Sequence, residues 1–152
     1  MTLENLLALH KLQAFEPSAA GVQRLLLAAE RNRADAAIAA LSSENRFDAA
    51  YKAIMQCAMI GLWANGYRPS TSQPGHHQTA LQTLPKTLGV DHDVVIVLDA
   101  LRKQRNLSDY EGDPVSEGAV VECCQQAAFL LDHTRTWLGK NRPDLLVVQE
   151  PS

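Results

Sequence analysis

Small apolar residues recur at intervals of three and four along most of this chain, with little aromatic bulk between them, and that pattern restricts the fold to packed helices. Val22, Leu25, Leu26, Ala29, Ala36, Ala37 and Ala40 trace one such row, with Arg33 filling a step. Phe47, Tyr51, Ile54, Ala58 and Leu62 trace another. Alanine and leucine dominate, and only eight of 152 residues are Phe, Trp or Tyr, which favours helix on helix over a sandwich or barrel. The expected fold is all-α, an up-and-down bundle of four main helices plus a short one.

Boundaries follow from caps and breakers. Residues 1–16 are expected to form a short N-terminal helix, Thr2 to Phe15, stopped before Pro17. Residues 17–140 form the bundle. Ser18 offers an N-cap for a helix to Leu41, and Ser42 or Ser43 for one ending near Gly66. Gly66 to Gly75, with Pro69, Pro74 and three hydroxyl residues, is expected to be the longest loop. A helix from His76 to about Leu88, bent at Pro85, follows. Asp91 or Asp93 caps the next, in which the strand-like Val94 to Leu98 run continues at helical spacing through Leu101 and Arg105. A last long helix through Val120, Cys124, Ala127, Leu131 and Leu138 ends at Gly139 and Pro143. Residues 141–152 are expected to be a flexible tail.

Charge and cysteine content narrow the function. A net charge of −3 excludes a strongly cationic nucleic-acid coat, so any anion site must be local. No apolar run approaches the roughly 20 residues that span a bilayer, and the N-terminus lacks the basic leader of a secretory signal, so the expected location is the cytoplasm. Cys57, Cys123 and Cys124 have neither disulfide nor zinc spacing and read as small core residues. No metal site or cofactor is expected, since adjacent histidines diverge by about 100° on a helix.

The segment with the most chemistry is Arg102-Lys103-Gln104-Arg105-Asn106-Leu107-Ser108-Asp109-Tyr110. Residues 98, 101 and 105 share a helix face, so Arg105 continues an apolar row toward the core or a second subunit. Arg102, Asn106 and Tyr110 form a polar row beside it. The row presents a guanidinium fork, an amide and a phenol together, which suits a phosphate. The same spacing also allows a plain Arg105–Asp109 ion pair at i, i+4, with Arg102 and Lys103 solvated.

Together with Arg46-Phe47-Asp48-Ala49-Ala50-Tyr51, Gly66-Tyr67-Arg68-Pro69 and Gly75-His76-His77, the Arg105-Asn106 pair resembles the HEPN superfamily of helical-bundle domains, over roughly Ser18 to Lys140. The resemblance implies a four- or five-helix bundle, often a homodimer, associated with RNA or nucleotide binding and with toxin–antitoxin and defence systems. It further implies a cognate antitoxin or a nucleotidyltransferase-like protein as partner. Many such proteins are metal-independent ribonucleases in which an Arg, the polar residue after it, and a His about five positions on meet at the dimer interface. Arg105 and Asn106 match the first two, whereas Tyr110 stands where the histidine would be. Proton transfer near neutral pH suits His and not a phenol of pKa about 10, so the replacement favours binding over cleavage.

His76 and His77, at an expected helix start, are the candidates to supply that proton transfer if their loop folds toward Arg105. Otherwise one packs under the loop and the other is solvated. Tyr67 and Arg68 open the loop, where they can stack on a base or pack a helix end. Phe47, Tyr51 and Trp63 are expected in the core.

Overall fold

The computed structural model describes residues 2–72 and 74–147. It is mostly helical, with seven α-helices and a two-stranded sheet among the described residues. Helix α1 (Leu3–Ala8) leads into strand β1 (Leu12–Ala14), followed by α2 (Ala19–Ala36), α3 (Ser43–Ala64) and strand β2 (Tyr67–Pro69). Two short helices, α4 (His76–Gln82) and α5 (Leu84–Thr87), precede the long α6 (His92–Glu111) and α7 (Glu117–Asn141). A 3₁₀ turn (Pro143–Leu146) follows.

Helices α2 and α3 start at the serine caps expected of them, and α7 at a serine as well. Ser18, Ser42 and Ser116 each accept a hydrogen bond from the backbone N–H three residues on, at 3.0–3.1 Å, which satisfies an otherwise orphaned donor. α3 is the central helix, packed along α2 and α7. Phe47, Ala50, Tyr51, Ile54, Ala58 and Leu62 all lie on its buried face, as their spacing predicts. Gly61 lets α3 approach the α5 end closely, since a Cβ there would lie 2.8 Å from Thr87 Oγ1 and 2.9 Å from Leu88 Cγ. The Val94 to Leu98 run is helical, within α6.

Four expectations are corrected. The lead-in helix stops at Ala8, and Leu12–Ala14 pairs antiparallel with Tyr67–Pro69, inside the segment expected to be loop. The cause is local: Gly66 turns the chain at φ 93°, and Pro69 holds Arg68 extended. Flanking bonds from Phe15 N to Gly66 O (2.9 Å) and Ser70 N to Lys11 O (3.0 Å) prolong the ladder. Helix α2 ends at Ala36, short of Leu41: Ile38 and Leu41 stay exposed, and Arg46 Nε donates to the Ala36 carbonyl at 2.8 Å. Pro85 splits the expected 76–88 helix into α4 and α5 where it was expected to bend it. The segment after Asn141 docks: Leu145 is 3% exposed, and Arg142 Nη1 donates to Ala64 O at 2.6 Å. Of the expected flexible tail, residues 148–152 lie outside the described residues. No helix is long and apolar enough to cross a membrane among the described residues.

Candidate functional site

Helix α6 buries Val95, Leu98 and Leu101 and then turns polar. Its last two turns carry Arg102, Arg105, Asn106 and Tyr110 along one wall of an open cleft of about 420 Å³. The opposite wall comes from the start of α4, with Gly75, His76, His77 and Gln78. Two sequence segments about thirty residues apart therefore meet because α4 packs against α6. His76 and His77 line the same cleft as Arg105.

Arg105 sits at the junction of cleft and core. Its side chain is 25% exposed; Nε lies 3.3 Å from Asp109 and 3.4 Å from Asp48 of α3. Its guanidinium carbon lies 5.1 Å from the Tyr51 ring centroid, within cation–π range. The i, i+4 pair with Asp109 is thus present, joined by a long-range carboxylate and an aromatic face. Arg102 pairs with Asp99 at 2.9 Å. Burial of the Asp99 carboxyl works against its ionisation, but the Arg102 hydrogen bond and the Arg102 and Lys103 charges outweigh it and hold the carboxyl below its ordinary range. Among the described residues nothing pairs with the Asn106 amide, which lines the cleft.

His77 is the best-positioned histidine. Its Nδ1 lies 3.2 Å from the Tyr51 hydroxyl, and its ring meets His76 edge-on at 4.9 Å. Burial lowers its pKa, and His76 and the Arg105 and Arg102 charges lower it further, so the imidazole is neutral near pH 7. Burial pushes the Tyr51 phenol up to about 12 against the pull of Arg105 and Arg102, so it keeps its proton. The phenol and Nδ1 share this one hydrogen bond, whose direction goes with the His77 tautomer. Where the phenol donates to Nδ1, neutral His77 carries its own proton on Nε2 and presents a donor.

Other sequence candidates fall elsewhere. Tyr67 and Arg68 are held in β2, away from the cleft. Arg68 Nε donates to Gln13 at 3.1 Å, and its guanidinium stacks 5.4 Å from the Phe15 ring. Tyr110 stands at the cleft rim, 82% exposed. Burial raises the Cys57 thiol to about 12 and pushes Cys123 up as well, so neither is a nucleophile at neutral pH. Among the described residues no three His, Cys, Asp or Glu side chains converge to hold a metal. Sequence reasoning missed Asp48 and the hydroxyl of Tyr51. The available signal was a carboxylate and a phenol within four residues of an apolar helical stripe. No family model matches the chain, and no curated protein matches it.

Proposed function

We propose that this chain is a HEPN-like helical protein that binds RNA or a nucleotide through the phosphate, in the cleft between α4 and α6. The observation that carries the reading is the convergence of Arg102, Arg105 and Asn106 with His76 and His77 on one open cavity. Guanidinium forks, an amide and a neutral imidazole N–H are the donors a phosphate accepts. A second copy of the chain is the expected partner. Ile96, Leu107 and Tyr110 are exposed along α6 at 68%, 42% and 82%, and that row ends at the cleft rim, so a docked copy would complete the wall. The resemblance adds a cognate antitoxin or nucleotidyltransferase-like protein as a further partner.

The test is a thermal-shift titration with pyrophosphate and with short RNA oligomers at low ionic strength. Stabilisation in the wild type, lost in Arg105→Ala, is expected; no shift with either ligand overturns the reading.

One observation favours a second reading, a metal-independent ribonuclease. His77 is neutral at working pH and borders the same cavity as Arg105, so it can exchange protons where Tyr110 cannot. Labelled RNA incubated in EDTA is expected to be cleaved by the wild type and spared by His77→Ala on this reading. Intact RNA with the wild type leaves binding as the function.

A further inference from the structure

A second cavity of about 260 Å³ opens beside the cleft, and Arg105 and His77 border both. Its remaining wall is one face of α3: Tyr51 and Met55 at i, i+4, beside Lys52 and Gln56 at the same spacing. By itself it is smaller than the roughly 300 Å³ at which small-molecule sites begin. As an annex sharing Arg105 and His77 with the cleft, it extends the candidate site toward α3.

The chemistry of this annex differs from that of the cleft. Its floor is apolar, made by the largely buried Met55 thioether and Tyr51 ring, and a thioether packs well against aromatic rings. Its edge carries hydrogen-bond donors. Gln56 has its carbonyl oxygen engaged by Asn32 Nδ2 of α2 at 2.9 Å, so what its amide offers a ligand is the NH₂ group. Lys52, tethered to Asp48 at 3.4 Å, offers an ammonium one turn away. An apolar floor with two donors along one edge fits a planar heterocycle with two adjacent acceptors. Guanine has that edge in O6 and N7, whereas adenine places an N6 donor beside N7.

We propose that the annex is a base subsite for the same ligand, and that Gln56, held by Asn32, with Lys52 selects guanine over adenine. This inference rests on the phosphate reading of the neighbouring cleft. It makes the ligand a guanine nucleotide unit, with its phosphate at Arg102 and Arg105 and its base on Met55.

Calorimetric titrations with 5′-GMP, 5′-AMP and ribose 5-phosphate at low ionic strength test it. The wild type is expected to bind GMP about tenfold more tightly than AMP, the discrimination of one good donor pair. Gln56→Met is expected to bring GMP within about twofold of AMP and to leave ribose 5-phosphate binding unchanged. Asn32→Ala, which keeps Gln56 but frees its amide to rotate, is expected to erode the preference partway, and it keeps the test decisive if Gln56→Met folds poorly. Equal binding of all three ligands by the wild type, or a GMP preference that survives in both variants, overturns the base subsite and leaves the phosphate cleft standing. Failure of all three ligands to bind overturns both.

Discussion

The hydroxyl of Tyr51 lies 3.2 Å from Nδ1 of His77, across 26 residues of sequence, and joins the central helix of the bundle to the lip of the cleft. The hydrogen bond ties the His77 tautomer to the phenol, and Arg105 over the same ring, 5.1 Å from its centroid, places the guanidinium beside it. Core packing and site geometry therefore share one side chain.

Tyr51→Phe keeps the ring and removes that link. It is expected to lower stability by about 1 kcal/mol, the usual net worth of one hydrogen bond. It is also expected to shift the His77 tautomer toward a mixture, which ¹⁵N chemical shifts of the imidazole report. An unchanged tautomer would mean that something else fixes the ring.

Acid sensitivity follows from His77. Its folded pKa is lowered from 6.5, so below about 6.5 the unfolded chain binds a proton more readily than the folded one. The stability tied to the neutral ring is therefore fully present above that pH and is lost as pH falls through the folded value. Urea melts from pH 7.5 to 5 are expected to show a decline that His77→Gln reduces. Parallel pH profiles for the two proteins would contradict the assignment.

Arg105→Ala leaves Asp48 and Asp109 without their guanidinium. All three groups are partly solvated, so the stability change is expected to stay within about 1 kcal/mol, while pyrophosphate affinity drops by about tenfold or more. Arg105→Lys restores the charge without the fork and is expected to recover only part of the affinity. Calorimetry alongside thermal melts separates the two effects.

Gly61→Ala forces a methyl against Thr87 Oγ1 and Leu88 Cγ, both under 3 Å from the new carbon. Overpacking of this kind costs about 1–3 kcal/mol. A lowered Tm with the helical circular dichroism signal retained is the expected outcome.

Leu145→Ala tests whether the C-terminal 3₁₀ turn belongs to the core. Its side chain is buried, so the change is expected to cost about 2–3 kcal/mol in denaturant titrations. A loss near zero would return this segment to a frayed end.

Helices were legible where an apolar row was long enough to show its period, as in α3 and α7, and where a serine capped the first turn. The β1–β2 pair was not, because three-residue strands carry no period and their pairing spans residues 12 to 69. For the site, Arg102, Asn106 and Tyr110 could be grouped by i, i+4 spacing on one helix. That His76 and His77 meet them depends on how α4 packs on α6, which spacing within either helix does not encode. Asp48 and the Tyr51 hydroxyl were hidden for a related reason: both sit on a helix whose burial pattern reads as structural, and their partners lie on other elements.

Because Asp48 and Asp109 both lie beside Arg105 Nε, an anion arriving at the cleft meets a guanidinium whose pull is already shared with two carboxylates. On the phosphate reading, a doubly charged group competes for that shared guanidinium better than chloride or acetate does, so binding that rises with ligand charge is the expected behaviour of the cleft.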